Sequence, residues 1–151
     1  MLASLQQACV DFLNTQDYFN QDPSIPVLNE VLGDIEKQIE ITIAQTGLAV
    51  VLKTPTAQKI NTNIFPPYFS EILITARVME RPIVNRAATG VNQPALDVAE
   101  AVAYYLHHFT PTGITECLTA QKIEQVDIRG SLTYDVIFNL HAGFTQEPTR
   151  S

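Results

Sequence analysis

The stretch Leu132-Thr133-Tyr134-Asp135-Val136-Ile137-Phe138-Asn139-Leu140 decides the fold class. Leu132, Tyr134, Val136, Phe138 and Leu140 alternate with Thr133, Asp135 and Asn139. A period of two is the signature of a strand with one face on a core and one face turned away from it. Arg129-Gly130-Ser131 immediately before it reads as a turn, and residues 117–129 read as the other arm of a hairpin. That first arm alternates poorly, so a bulge or an additional interface is expected in it.

Working back from the hairpin, residues 94–110 form an amphipathic helix. Ala95, Val98, Ala99, Val102, Leu106 and Phe109 make its apolar stripe, and Pro94 suits the helix start. Asp97 and Glu100 fall early, where the helix dipole favours acids, and His107 and His108 fall late, where it favours cations. Phe69–Arg81 is a strand that Pro82 ends, with residues 85–92 as loop. Residues 55–67 carry three prolines, two asparagines and no period, and are read as a long loop of the binding-arm kind. Leu48–Leu52 is a continuous apolar run with β-branched residues, an interior strand. Residues 27–45 are read as a helix on the stripe Leu28, Val31, Leu32, Ile35, Ile39 and Ile43, stopped by Gly47. Residues 1–22 give a shorter helix on Leu2, Leu5, Ala8, Cys9, Phe12 and Leu13.

The order is therefore helix, helix, strand, strand, helix, strand, strand. The expectation is an α+β fold: an antiparallel four-stranded sheet with helices packed mainly on one face. Residues 1–26 are expected as an N-terminal helical extension, 27–142 as the α+β domain, and 143–151 as a polar tail.

Composition narrows the function. Charged residues make up only 17% of the 151, against about 25% in an average soluble domain. Such a chain cannot coat a whole monomer surface with charge, which suggests coverage by copies or partners. The net charge of −7 argues against a broad DNA-binding surface. Charge is also uneven. Residues 1–52 hold seven acids and one base; residues 53–90 hold five bases and two acids; residues 91–151 hold seven acids and three bases. A basic middle between acidic flanks can be satisfied within one fold or by head-to-tail contacts between identical subunits. The N-terminus lacks the basic start of a signal peptide, and no apolar run approaches the roughly 20 residues of a membrane span.

Chemistry-bearing motifs are sparse. Cys9 and Cys117 have no metal-ligand spacing and read as small apolar residues. His107 and His108 are adjacent on a helix, so their side chains should diverge by about 100° rather than form a metal pair. Neither Cys117 nor Ser131 sits in a nucleophile motif. Ala88-Thr89-Gly90-Val91-Asn92 leads into a helix N-terminus but lacks the lysine and Ser/Thr of a phosphate loop, and reads as a turn plus cap. No cofactor, metal or enzymatic activity is expected.

One arrangement has a known counterpart. It runs from Gly47 through Leu48-Ala49-Val50-Val51-Leu52-Lys53-Thr54-Pro55-Thr56 and the proline-bearing loop to Pro67-Tyr68-Phe69. It continues with Val78-Met79-Glu80-Arg81-Pro82-Ile83-Val84-Asn85-Arg86, Thr89-Gly90, the helix from Ala95 to Val102, and the hairpin strand Leu132–Phe138. Over residues 27–142 this resembles the tail terminator or tail-completion proteins of tailed bacteriophages and prophages. The resemblance implies a ring, commonly a hexamer, that caps the tail tube, stops its polymerisation and meets the head-side connector or stopper protein. It implies a virion protein of the tail or neck, present in the host cytoplasm during assembly, with no membrane partner and DNA only passing through the ring lumen.

Within that reading, Lys53, Lys59, Ile64, Phe65, Tyr68, Arg81 and Arg86 are the candidates for inter-subunit or axial contact. Bases from residues 53–90 would pair with acids on a neighbour, and the loop 55–67 would reach an adjacent ring or line the lumen. Two alternatives stand beside it. One is another neck component, a head-completion or stopper protein. The other is a small cytoplasmic ligand-binding or enzymatic domain, which would need a deep pocket gathering His107 or His108, His141 and acids.

Overall fold

The longest strand pair organises the molecule. In the computed structural model, β4 (Phe69–Glu80) runs antiparallel to β6 (Ser131–Gly143) over twelve paired positions, from Phe69↔Gly143 to Glu80↔Leu132. Residues 2–30, 34–59, 69–87, 90–114, 116–143 and 150 are described. At about 3.4 Å per residue the pair is roughly 40 Å long.

The alternation read in β6 holds from Val136 to Leu140, whereas nearer its start Leu132 and Tyr134 are half-buried and Thr133 and Asp135, on the other face, are buried. Val136, Phe138 and Leu140 are buried, as are Ile72, Ile74, Ala76 and Val78 on β4, because these residues share one sheet face. Outside β6 lies β5 (Thr119–Ile128), paired antiparallel from Thr119↔Asn139 to Ile128↔Ser131. The pairing shifts register between Ala120 and Lys122. That bulge accounts for the poor alternation of this arm: one extra residue moves the side-chain phase across the pleat.

On the other side of β4 the chain makes two strands where one was expected. β2 (Leu48–Leu52) pairs with Ala76–Glu80, and β3 (Thr56–Lys59) pairs with Ser70–Leu73. Three residues, 53–55, face two on β4 between these ladders, so Pro55 sits where the strand is bulged rather than where it stops. The expected loop 55–67 thus begins with a strand. Its cause is tertiary: β4 is longer than β2 and offers an unpaired edge beyond it. The remainder of that expected loop lies outside the described residues.

The expected helix 27–45 is also corrected at its start. Val27–Asn29 is a strand, β1, parallel to β2 with Val27↔Val50 and Asn29↔Leu52, and the helix α3 runs only from Ile35 to Thr46. Val27 and Asn29 point into the core side, where the Asn29 side-chain amide donates to Gln7 Oε1 at 2.8 Å. The fold is α+β, but the sheet is six-stranded, open and mixed, in the order β1-β2-β4-β6-β5 with β3 beside β4. The four expected strands are the antiparallel run β2-β4-β6-β5, to which β1 adds a parallel edge and β3 a short strand beside β4. The parallel β1–β2 step needs a crossover, and α3 supplies it.

Helices α1 (Leu2–Asn14) and α5 (Ala95–Leu106) cover the core face. Leu5, Cys9, Val10 and Leu13 of α1 and Ala95, Val98, Ala99, Val102 and Leu106 of α5 belong to one buried cluster with β2, β4 and β6. The stripe predicted for α5 is the buried one. A four-residue helix, α2 (Asp17–Asn20), adds Phe19 to the same cluster. Ala49 and Val51 point to the opposite face and are still buried, because α3 packs over β2 and closes there with Ile43. The end of α3 is tight. Gly47 takes φ +72, and a Cβ on it would lie 2.2 Å from the Asn85 nitrogen, in the short helix α4 (Pro82–Asn85). Glycine is required there both by the left-handed backbone and by the close approach.

Candidate interaction surfaces

β4 displays its odd-numbered residues on the face away from α1 and α5. Leu73, Thr75, Arg77 and Met79 lie there, with Ile137 and Asn139 of β6 and Val126 and Ile128 of β5 in register. All eight are half-buried. Among the described residues, α3, the helix on this side, packs mainly on β2 and α4 rather than on this part of the sheet. At its centre Arg77 Nε donates to Asp135 Oδ1 at 2.8 Å and Nη2 donates to Oδ2 at 3.0 Å. The hydrogen bond to Asp135 holds the Arg77 guanidinium above its ordinary pKa. One of the five bases of the 53–90 segment is thereby satisfied within the fold.

The remaining bases do not form one patch. Lys53 follows β2 and is half-buried, its N–H bonded to the Thr75 carbonyl at 2.9 Å. Lys59 ends β3 opposite Ser70. Arg81 follows the far end of β4, so Lys59 and Arg81 are separated by roughly 35 Å along the strand. Ile64, Phe65 and Tyr68 lie outside the described residues. Only Arg81 and Arg86 are brought together, at the two ends of α4. Between them Ile83 is 89% exposed.

This corner is built on a buried acid. Glu80 is fully buried; its Oε1 accepts the Ala95 N–H and its Oε2 accepts Asn85 Nδ2, each at 3.0 Å. Arg86 Nε stands 3.5 Å from the same carboxylate. Asn85 in turn donates to the Gln93 carbonyl at 2.7 Å and accepts the Asn92 N–H at 3.0 Å. A carboxylate at the first N–H groups of α5 satisfies orphan donors and favours the helix dipole. Gly90–Asn92 thus lead into a capped helix start, and the acid that caps α5 comes from β4; Ala88 and Thr89 of the expected turn lie outside the described residues.

The outward face of α5 was not anticipated. Leu96 and Tyr104 are 43% and 77% exposed, and the acids Asp97 and Glu100 lie between them on the exposed side. Burial, then the Asp97 charge, hold the Tyr18 phenol above its ordinary pKa, with Tyr105 and Glu100 adding to it. Leu96 and Tyr104 are apolar but out of phase with the buried stripe of α5, and that mismatch is a signal the sequence does carry. Because α5 covers one side of the sheet and the residues around Arg77 form the other, the two surfaces look in opposite directions.

The three histidines do not gather at one site: His107 and His108 lie together after α5, and His141 is on β6. The His107 and His108 rings lie 3.9 Å apart and tilted by 31°. They do not diverge as expected, because the helix stops at Leu106 and His108 takes φ +68. His107 Nδ1 accepts the Ala120 N–H at 3.0 Å, at the bulge of β5. His141 stands opposite Glu71 on the outer side of the sheet. Among the described residues no group of His, Cys, Asp and Glu is placed to hold a metal ion, and no helix is long and apolar enough to cross a membrane. No protein-family model matches the sequence, and no curated protein matches it.

Proposed function

We propose that this chain is a structural protein of a tailed-phage virion: a tail terminator whose copies form a ring, commonly of six, on the end of the tail tube. The ring stops tube growth and offers its other side to the head connector or stopper protein. The observation that carries the reading is the pair of unlike, partly apolar surfaces on opposite sides of the sheet. A cyclic ring of identical subunits needs two different, complementary patches on each subunit, whereas a two-fold dimer needs one self-complementary patch. The low charge content and the element order of the resembling family support the same reading.

The test is direct. The purified chain is mixed with tail tubes that lack a terminator and viewed by electron microscopy. Rings at one tube end and tubes of fixed length are the expected result. Tubes that keep growing, with no ring on them, would overturn the proposal. A ring that binds the portal-side adaptor and ignores the tube would instead assign the chain to the stopper position in the neck.

A further inference from the structure

Ile83, Leu96 and Tyr104 are three of the four large apolar side chains exposed among the described residues; the fourth is Ile41, on α3. The three fall into two patches of opposite charge. Ile83 projects from a one-turn helix with Arg81 and Arg86 at its ends, a basic knob with an apolar tip. Leu96 and Tyr104 bracket Asp97 and Glu100 on α5, an acidic stripe with apolar ends. Among the described residues, no ion pair holds Arg81, Asp97 or Glu100, whereas Arg77, Arg86 and Lys122 each have a carboxylate partner.

We infer that the knob of one copy docks on the α5 stripe of the next, with Ile83 against the apolar ends of the stripe and Arg81 against its acids. The occupant is a second copy of this chain because the charges match within the chain itself. Each patch repels a copy of itself, so knob-on-knob and stripe-on-stripe pairing are disfavoured, and only the unlike pairing neutralises both. The knob is held rigidly: Glu80 and Asn85 tie α4 to the first turn of α5, and Gly47 lets α3 pack against it. A rigid apolar tip with charged flanks loses little conformational freedom on docking. The inference rests on the proposal that copies of the chain assemble, and it gives the α5 surface its partner at the α4 corner, leaving the Arg77 face of the sheet for another contact.

Charge exchange tests it. Sedimentation velocity is run on the full chain and on Arg81→Glu, Glu100→Arg and the double variant, with Ile41→Ser as a control outside both patches. Circular dichroism and thermal midpoints monitor folding. The expected result is wild-type self-association, weakened about tenfold or more by either single exchange. The double variant should recover, and Ile41→Ser should match wild type. Single variants that assemble like wild type would overturn the inference while leaving a ring intact. Single variants that weaken without recovery in the double variant would overturn the pairing of these two residues. A wild-type chain that stays monomeric, alone and on tail tubes, would instead remove the assembly proposal on which the inference stands.

Discussion

The Glu80 carboxylate, at the end of the longest strand, accepts the backbone N–H of Ala95 at 3.0 Å and so fixes where α5 begins. The same carboxylate accepts a hydrogen bond from the Asn85 side-chain amide, and both residues are fully buried. Replacing Glu80 by Ala leaves the Ala95 N–H and one of the two Asn85 amide hydrogens without an acceptor, the other still reaching the Gln93 carbonyl, and opens a cavity. A loss of about 3 kcal/mol in urea unfolding is expected. Glu80→Gln keeps an acceptor oxygen and should cost less. Arg86→Ala should cost under about 1 kcal/mol, because that guanidinium is half exposed and its charge is screened. Equal losses for Glu80→Ala and Arg86→Ala would contradict this assignment.

Two glycines with positive φ should behave differently. At Gly47 an added methyl meets the backbone of α4 at 2.2 Å, which no side-chain adjustment can relieve. At Gly130, φ is +83 and the space is open. Gly130→Ala should cost about 1–2 kcal/mol, the price of a left-handed L-residue. Gly47→Ala should cost several times more or prevent folding. Thermal midpoints of the two variants compare them.

Arg77 and Asp135 form a two-pronged ion pair with side chains 23% and 10% exposed. A double-mutant cycle with Arg77→Met and Asp135→Asn, read by urea unfolding, should give a coupling of about 1–2 kcal/mol. Coupling near zero would place the pair with ordinary surface ion pairs.

Cys9 is buried on α1, and burial pushes its thiol up to about 12. A thiol protonated in the fold and ionised in the unfolded chain stabilises the fold fully below the unfolded value. That contribution is lost as pH rises towards the folded value. Unfolding free energy should therefore fall between pH 9 and about 12, by about 1.4 kcal/mol per pH unit from this group. Cys9→Ala should flatten that part of the pH profile. In native buffer an alkylating reagent should modify the half-buried Cys117 before Cys9.

The long strands and α5 could be read from the chain because their signals are local. Alternation in Leu132–Leu140 and the 3.6-residue period from Ala95 to Leu106 each fix one buried face. The short strands could not. Val27–Asn29 looks helical by period, since Leu28 falls in phase with the α3 stripe, and becomes a strand only because Val50–Leu52 lies alongside. Thr56–Lys59 has no apolar pattern and is a strand because β4 extends past β2. Of the contact candidates, Arg81 and Arg86 come together at α4, Lys53 and Lys59 lie apart along the sheet, and Ile64, Phe65 and Tyr68 lie outside the described residues. The exposed face of α5 is not legible from the helical period, because that period marks the buried stripe and Leu96 and Tyr104 are the residues that break it.

The sequence by itself determined the α+β class, the hairpin around Gly130, the buried stripe of α5 and the excess of bases in residues 53–90. Each depends on neighbours a few residues apart. Only the tertiary structure decided that the sheet is mixed, that Arg77 pairs with Asp135, and that Arg81, which has no ion pair among the described residues, stands beside an exposed isoleucine. Those outcomes depend on which strands become neighbours across 23 to 58 positions, and no local period encodes that choice.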